Sequence, residues 1–294
     1  MAGRLTFTQS ECKSALTRVQ GMPFRWSLNP YRGCSHACPY CYARDYFRRV
    51  DRDPGAGFDR EIEVKINFAA VLERELRRPH DGSVALGTAT DPYQPCEGRF
   101  RVTRGALEAL VRHPMPLSII TKGTLILRDL DLLVELGRRV ELRIWSSITT
   151  VDRTLARQIE PGAPPPAKRL EAIRRMRAAG LRSGVLLAPV VPGLTDAGPA
   201  MRAVALAAHE AGAVAFGSRP LKLDPGTKDV FYAFVAAQFP DLLPRYIERY
   251  GDGTKLDAAY LRALEARIER AAAGLCFSDE PQRFTEPAQL RLAI

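Results

Sequence analysis

Three cysteines crowd into one short segment of this 294-residue chain, Gly33-Cys34-Ser35-His36-Ala37-Cys38-Pro39-Tyr40-Cys41-Tyr42, with the spacing C-x3-C-x2-C. Three thiolates delivered from one loop can each bind one iron of a cubane 4Fe–4S cluster. The fourth iron is then left open, which a catalytic cluster needs so that a chelating ligand can reach it. The competing chemistry is a structural zinc site with His36 or a distant cysteine as fourth ligand. Zinc modules usually present two paired knuckles, and the chain has no second C-x2-C. The other cysteines, Cys12, Cys96 and Cys276, are scattered. Six cysteines are few for this length, and disulfide frameworks are unusual in a reducing compartment, so the trio reads as metal binding or redox chemistry.

The loop must hang from a rigid frame, and the hydrophobic pattern supplies one. Residues 24–33 read as extended and run directly into Cys34. A helix is expected over Ile66 to Arg78, with Ala69, Leu72 and Leu76 on one face, then a buried strand over Val84 to Thr88 and a helix containing Leu107 to Arg112. Leu117 to Thr121 reads as a strand, Leu127 to Gly137 as a helix and Val140 to Ser146 as a strand. After a proline-rich loop over Pro161 to Pro166 come a helix (Lys168 to Ala179), a strand (Ser183 to Pro189), a helix (Pro199 to Ala211) and a strand (Ala213 to Pro220). About six strand–helix units of this kind make a parallel α/β sheet with covering helices. Residues 228–274 read as aromatic-rich helices with no strand between them.

Composition excludes several classes. With 46% hydrophobic and 26% charged residues the chain can bury a large core, so it is not a disordered tail. No apolar run reaches membrane-spanning length, and Met1 to Gln20 lacks the apolar block of a signal peptide, so no membrane association and a cytoplasmic location are expected. The formal charge of +10, from 43 Lys plus Arg against 33 Asp plus Glu, favours encounters with nucleic acids or other anions.

The cysteine spacing, with aromatic Tyr40 just before the third cysteine, resembles the radical S-adenosylmethionine (SAM) superfamily. Further segments stand in order downstream: Thr88-Ala89-Thr90-Asp91-Pro92, Ile120-Thr121-Lys122, Ser146-Ser147-Ile148-Thr149, Glu160-Pro161-Gly162, Lys168-Arg169-Leu170-Glu171, Leu187-Ala188-Pro189-Val190 and Arg219-Pro220-Leu221-Lys222-Leu223. Together they resemble the spore photoproduct lyase-like branch. The resemblance implies a partial (β/α)6 TIM-like barrel over residues 24–227, an N-terminal extension (1–23) and a helical C-terminal appendage (228–294) packed on the barrel. It implies a 4Fe–4S cluster on Cys34, Cys38 and Cys41, with SAM chelating the open iron. Tyr40, Thr90, Lys122 and Ser147 then fall on the cofactor side, Thr90 and Lys122 at the SAM carboxylate. Each lies near a strand's C-terminal end, where barrel active sites are built. Glu160 and Arg169 read as a structural ion pair.

Tyr42 matches a tyrosine of a radical-transfer path in spore photoproduct lyase. That enzyme's hydrogen-donating cysteine falls at Thr88 here, whose O–H bond is too strong for the task, so the same dimer-splitting route is not expected. Cys96 is either a substitute donor or a buried apolar residue. Arg99-Phe100-Arg101-Val102-Thr103-Arg104 is either a phosphate contact or a solvated loop and helix start. The reading is thus a radical SAM enzyme of lyase-like or oxidoreductase-like type, acting on a nucleic-acid base in DNA repair or modification and fed by an electron donor such as flavodoxin or ferredoxin. The alternatives are a non-catalytic zinc or iron–sulfur module, and radical SAM modification of a peptide or small molecule.

Overall fold

Continuous apolar strands need cover on both faces, and this chain supplies it by following most strands with a helix. The computed structural model describes residues 4–277. It opens with β1 (Thr6–Ser10), β2 (Leu16–Arg18), β3 (Trp26–Leu28) and β4 (Tyr31–Arg32), then α1 (Arg44–Arg48), α2 (Ala56–Arg60), β5 (Glu61–Lys65) and α3 (Phe68–Leu76). Next stand β6 (Val84–Leu86), α4 (Glu97–Phe100), α5 (Val102–Arg112), β7 (Leu117–Thr121), a 3-10 turn (Thr124–Asp129), α6 (Leu130–Arg139) and β8 (Leu142–Ser147). The alternation ends with α7 (Arg153–Ile159), α8 (Pro166–Ala178), β9 (Ser183–Val190), α9 (Gly198–Glu210) and β10 (Phe216–Pro220). Three helices follow: α10 (Pro225–Gln238), α11 (Leu243–Tyr250) and α12 (Ala258–Ala272).

Strands β3, β6, β7, β8, β9 and β10 pair in parallel and in chain order, and β2 adds an antiparallel edge to β3. The two end strands, β2 and β10, are not neighbours, so the sheet stays an open arc: a partial (β/α)6 barrel. Along β8, Leu142 and Ile144 are buried in the main core with Leu133 and Leu136 of α6, while Arg143 and Trp145 point to the other face. Gly184 and Gly217 leave room for that indole; a Cβ on Gly184 would sit 3.0 Å from Trp145 Cζ3.

A second, smaller sheet runs β1-β5-β4. The extended stretch expected over 24–33 is therefore divided: β3 belongs to the barrel and β4 to the small sheet. Pro30 stands between them, and its lack of an N–H donor suits a break in the ladder. The N-terminal residues contribute β1 to the small sheet and β2 to the barrel edge. Ile66 falls outside α3 and is 51% exposed, because the helix starts at Phe68 and buries Phe68, Val71, Leu72 and Leu76 instead. α7 was not expected from periodicity; its start is fixed by Asp152, whose carboxylate accepts the Thr154 and Leu155 N–H groups.

α12 covers α9, with Leu264 and Ala271 joining the main core. α10 and α11 bury Phe231, Val235, Tyr246 and Tyr250 in a second apolar cluster that also contains Cys38 and Tyr40. The C-terminal helices thus pack against the cysteine loop itself. Residues 278–294 lie outside the described part of the chain. Among the described residues no helix is long and apolar enough to cross a membrane.

Candidate active site

β4 leads into the cysteine loop through Gly33, whose φ of +82° only glycine adopts without strain. A side chain there would also press on Phe58 O at 2.9 Å. The loop lies over the C-terminal ends of the barrel strands and is pinned from four directions. The Cys34 N–H donates to Phe58 O (3.0 Å), and the Gly162 N–H donates to His36 O (3.0 Å). The Arg44 Nε donates to Cys38 O (2.9 Å), and the Thr227 hydroxyl at the start of α10 donates to Cys41 O (3.0 Å). From below, the Gln94 side chain and the Thr90 hydroxyl hold Gly33 and Ser35.

Cys34 and Cys38 are buried and Cys41 partly so. Burial pushes all three thiols up: Cys34 well above its usual range, Cys38 to about 12, and Cys41 upward despite the Arg44 guanidinium nearby. Thiolates in such a place need compensating positive charge, which iron would supply, so this soft three-donor set fits a cubane cluster. His36 places its Nδ1 3.3 Å from Asp91 Oδ2, and its buried Nε2 has no hydrogen-bond partner among the described residues.

Asp91 ties the loop to β7. Its carboxylate also accepts the Lys122 N–H (2.7 Å), the Thr121 hydroxyl (2.6 Å) and the Tyr93 N–H (2.9 Å). Burial opposes its charge, yet His36 and these donors outweigh burial and hold the carboxyl well below its ordinary range.

Lys122 projects from the end of β7 with its Nζ 5.6 Å from the Tyr40 ring centroid and 3.9 Å from Glu160 Oε1. Burial works against its charge, but Cys38 and Glu160 outweigh it and raise its pKa. Glu160 is held by Arg169 Nη2 at 2.5 Å and by hydroxyl donors from Tyr40 and Thr149. Arg169 is spent inside the protein, donating also to Pro164 O and Ser147 O. The expected ion pair between Glu160 and Arg169 is present, and both side chains are buried.

The remaining sequence-derived residues are more dispersed. Thr90 is buried, and its hydroxyl is donated to Gly33 O (2.7 Å). The Ser147 hydroxyl is donated to Ala188 O at the end of β9 (2.9 Å). Tyr42 is 46% exposed, and its hydroxyl donates to Thr88 O. Cys96 sits in the main apolar core, whereas Cys34 and Cys38 belong to two other apolar groups, with Cys41 packed against both. In the Arg99–Arg104 segment, Arg104 is engaged by Asp129 (2.9 Å) and Asp131 (2.8 Å), and Arg99 stacks on Phe100. Sequence reading passed over Gln94 and the loop-contacting side of Gly162. Gly162 stood out only as part of the Glu160-Pro161-Gly162 segment and Gln94 not at all, because the residues they contact lie far away in the chain.

An open parallel barrel with a three-thiol loop over its C-terminal face defines the class of protein. A family model, the radical SAM superfamily, matches residues 28–201. The chain belongs to that superfamily. It is 43% identical over 269 residues to an uncharacterized protein of Mycobacterium tuberculosis, spanning 90% of this chain and 79% of that one. It is 25% identical over 167 residues to a radical SAM Nalpha-GlyT isomerase of Pseudomonas phage M6, spanning 56% of this chain and 33% of that one. Solved structures of spore photoproduct lyase share the fold: one with bound AdoMet and dinucleoside spore photoproduct superposes with a TM-score of 0.69 at 16% identity, covering 95% of this chain and 82% of that one. The protein is therefore a radical SAM enzyme, and the superfamily's cofactors are a 4Fe–4S cluster and SAM. Such enzymes also require a reductant.

Proposed function

We propose that Cys34, Cys38 and Cys41 hold the cluster, and that Lys122 binds the SAM carboxylate. The observation that carries this is the placing of the Lys122 ammonium, from the end of β7, 5.6 Å from the centroid of the Tyr40 ring, which belongs to the loop that bears all three thiols. When bound, the cluster and SAM supply one-electron cleavage of SAM to methionine and a 5′-deoxyadenosyl radical that abstracts a hydrogen atom from substrate. The chain's own part is to orient and to keep water away. Lys122 offers a charge-assisted donor to a carboxylate, and Glu160, 3.9 Å away, favours the charged ammonium against the opposing Arg169 guanidinium. Tyr40 forms one wall. Ser147 and Thr90 support the SAM site through the backbone, at Ala188 and Gly33. Tyr42, at the mouth beside Thr88, is the residue best placed for radical transfer. Cys96 is left out as hydrogen donor, since it packs in the core.

The substrate in this reading is a nucleic-acid base, in DNA repair or modification. The formal charge of +10 supports it, as does the dinucleoside ligand of the spore photoproduct lyase structures that share this fold. Thr88 in place of a donor cysteine argues for a reaction other than dimer splitting by that enzyme's route. The reading also takes the protein as cytoplasmic, with a flavodoxin or ferredoxin as reductant, with 24–227 as barrel, β2 from the 1–23 extension added to its edge, and the described helices from 228 onward as appendage.

The test uses protein purified without oxygen, reconstituted with iron and sulfide, and mixed with SAM and dithionite. Formation of 5′-deoxyadenosine that disappears in each of Cys34→Ala, Cys38→Ala and Cys41→Ala is the expected result. Full activity in any one of those variants refutes the cluster assignment, and bound zinc without acid-labile sulfide points to the structural zinc module instead.

A further inference from the structure

Gln94 lies in the turn after β6 and is completely buried. Its amide is saturated. Oε1 accepts from the Ser35 N–H (3.0 Å) and the Ser35 hydroxyl (3.4 Å), and Nε2 donates to Gly33 O (3.1 Å) and to Thr90 Oγ1 (3.0 Å). The orientation of the amide follows from its partners. A flipped amide would set Nε2 against an obligate backbone N–H and Oε1 against a carbonyl, losing both bonds.

Gly33 and Ser35 are the two neighbours of Cys34. The side chain of Gln94 therefore acts as a strand partner would, bonding the carbonyl before the cysteine and the N–H after it. The Cys34 N–H itself is fixed by Phe58 O, and Gly33 O takes a second bond from Thr90. Both peptide planes that flank Cys34 are thus anchored, which sets its φ and ψ and hence the direction of its Cα–Cβ bond. The other two cysteines receive side-chain bonds at their own carbonyls only, from Arg44 at Cys38 and Thr227 at Cys41, and otherwise share turn bonds from the Cys41 N–H to Cys38 O (3.2 Å) and from the Arg44 N–H to Cys41 O (3.1 Å). Cys34 alone is gripped on both flanks by a single side chain.

We propose that Gln94 is the positioning residue for Cys34: a buried amide that presets the first thiol to the geometry a cluster iron requires. The inference rests on the cluster reading above and adds to it a residue outside the cysteine loop. Outer partners of metal ligands typically change metal affinity by about 10–100-fold when removed, because the ligand must then be ordered at the moment of binding. The same turn also supplies Asp91, which holds the Lys122 N–H, so one segment registers the cysteine loop against the end of β7.

The experiment compares wild type, Gln94→Leu, Gln94→Glu, Thr90→Val and Thr90→Ser after anaerobic reconstitution. It reads iron and sulfide content, the rate of iron loss to a chelator, and the midpoint potential and EPR spectrum of the reduced cluster. Gln94→Leu removes every contact at similar volume and is expected to lose iron about 10–100-fold faster, with an altered potential and spectrum. Gln94→Glu keeps the acceptor for Ser35 and loses both donors, and an intermediate result is expected. Thr90→Val is expected to shift in the same sense as Gln94→Leu, and Thr90→Ser, which keeps the hydroxyl, to restore wild-type values. Should Gln94→Leu fail to fold, by circular dichroism of the apoprotein, Gln94→Glu decides. A wild type that holds its cluster beside Gln94 variants identical to it in iron loss, potential and spectrum overturns this inference alone. A wild type that takes up no iron and sulfide overturns the cluster reading, and the inference with it.

Discussion

Lys122 and Glu160 show how a buried charge can serve a site only if its neighbours hold it. Replacing Lys122 by alanine removes a charge-assisted donor worth about 1.5–3 kcal/mol, so SAM should bind roughly 10–100-fold more weakly while iron and sulfide content stays near wild type. Isothermal titration beside iron analysis checks this, and an equal loss of both would mean misfolding. Glu160 bears on stability. Burial opposes its charge, but Arg169, Lys122 and the Thr149 and Tyr40 hydroxyls prevail and depress its pKa from 4.5 to about 2. A depressed carboxyl contributes stability that is fully present above its unfolded pKa. That contribution should fade as pH falls from about 4.5 toward about 2. Glu160→Gln leaves Arg169 buried without its counter-ion, a loss of about 3–5 kcal/mol near neutrality. Denaturant melts across pH should show the variant less stable at pH 7 and flatter below pH 5; a parallel curve would disprove the assignment.

At the scale of elements, the site is made where loops from different strands touch. The turn after α7 presses on the cysteine loop so closely that a Cβ on Gly162 would lie 2.0 Å from Ser35 O. That neighbour is backbone and cannot swing away. Gly162→Ala should therefore cost about 1–3 kcal/mol or more and slow cluster uptake, read by thermal melting and by iron content after reconstitution. Gly123 meets the Tyr93 backbone in the same manner, at 2.2 Å, where the end of β7 passes the Gln94 turn. Such contacts explain why the elements were largely legible and their meeting points were not. The strands over 84–88, 117–121 and 183–189 are short apolar runs bounded by turn residues, a local signal that survives tertiary packing. β4 lay within the extended stretch read over 24–33, whereas β5 was missed although Glu61–Lys65 alternates charged and apolar residues and buries Ile62 and Val64. β1 was missed as well: it alternates but is mostly exposed, and what makes it a strand is its pairing with β5.

The whole molecule carries an excess of positive charge, and this is where a nucleic-acid substrate can be tested. A single-stranded oligonucleotide should bind at low salt and dissociate as salt rises. With three or more phosphate contacts at about 0.7 each, log K should fall against log salt with a slope steeper than about −2. Fluorescence anisotropy measures it, and no binding at low salt would leave peptides or small molecules as the substrate class. Many of the arginines are spent internally: Arg44 with Asp59, Arg104 with Asp129 and Asp131, Arg169 with Glu160. A phosphate contact by Arg104 loses ground on that account, and only the folded chain could reveal it.

The sequence by itself determined the reactive group and the kind of frame. Three thiols at C-x3-C-x2-C are fixed by covalent spacing, and alternating strand and helix patterns are read within a few residues of chain. Tertiary structure alone decided which groups serve those thiols. Gln94, Asp91, Gly162 and Thr227 act on the loop from 55 or more residues away in the chain, and hydrogen bonds and close packing at such separations leave no periodic trace in the residues that make them.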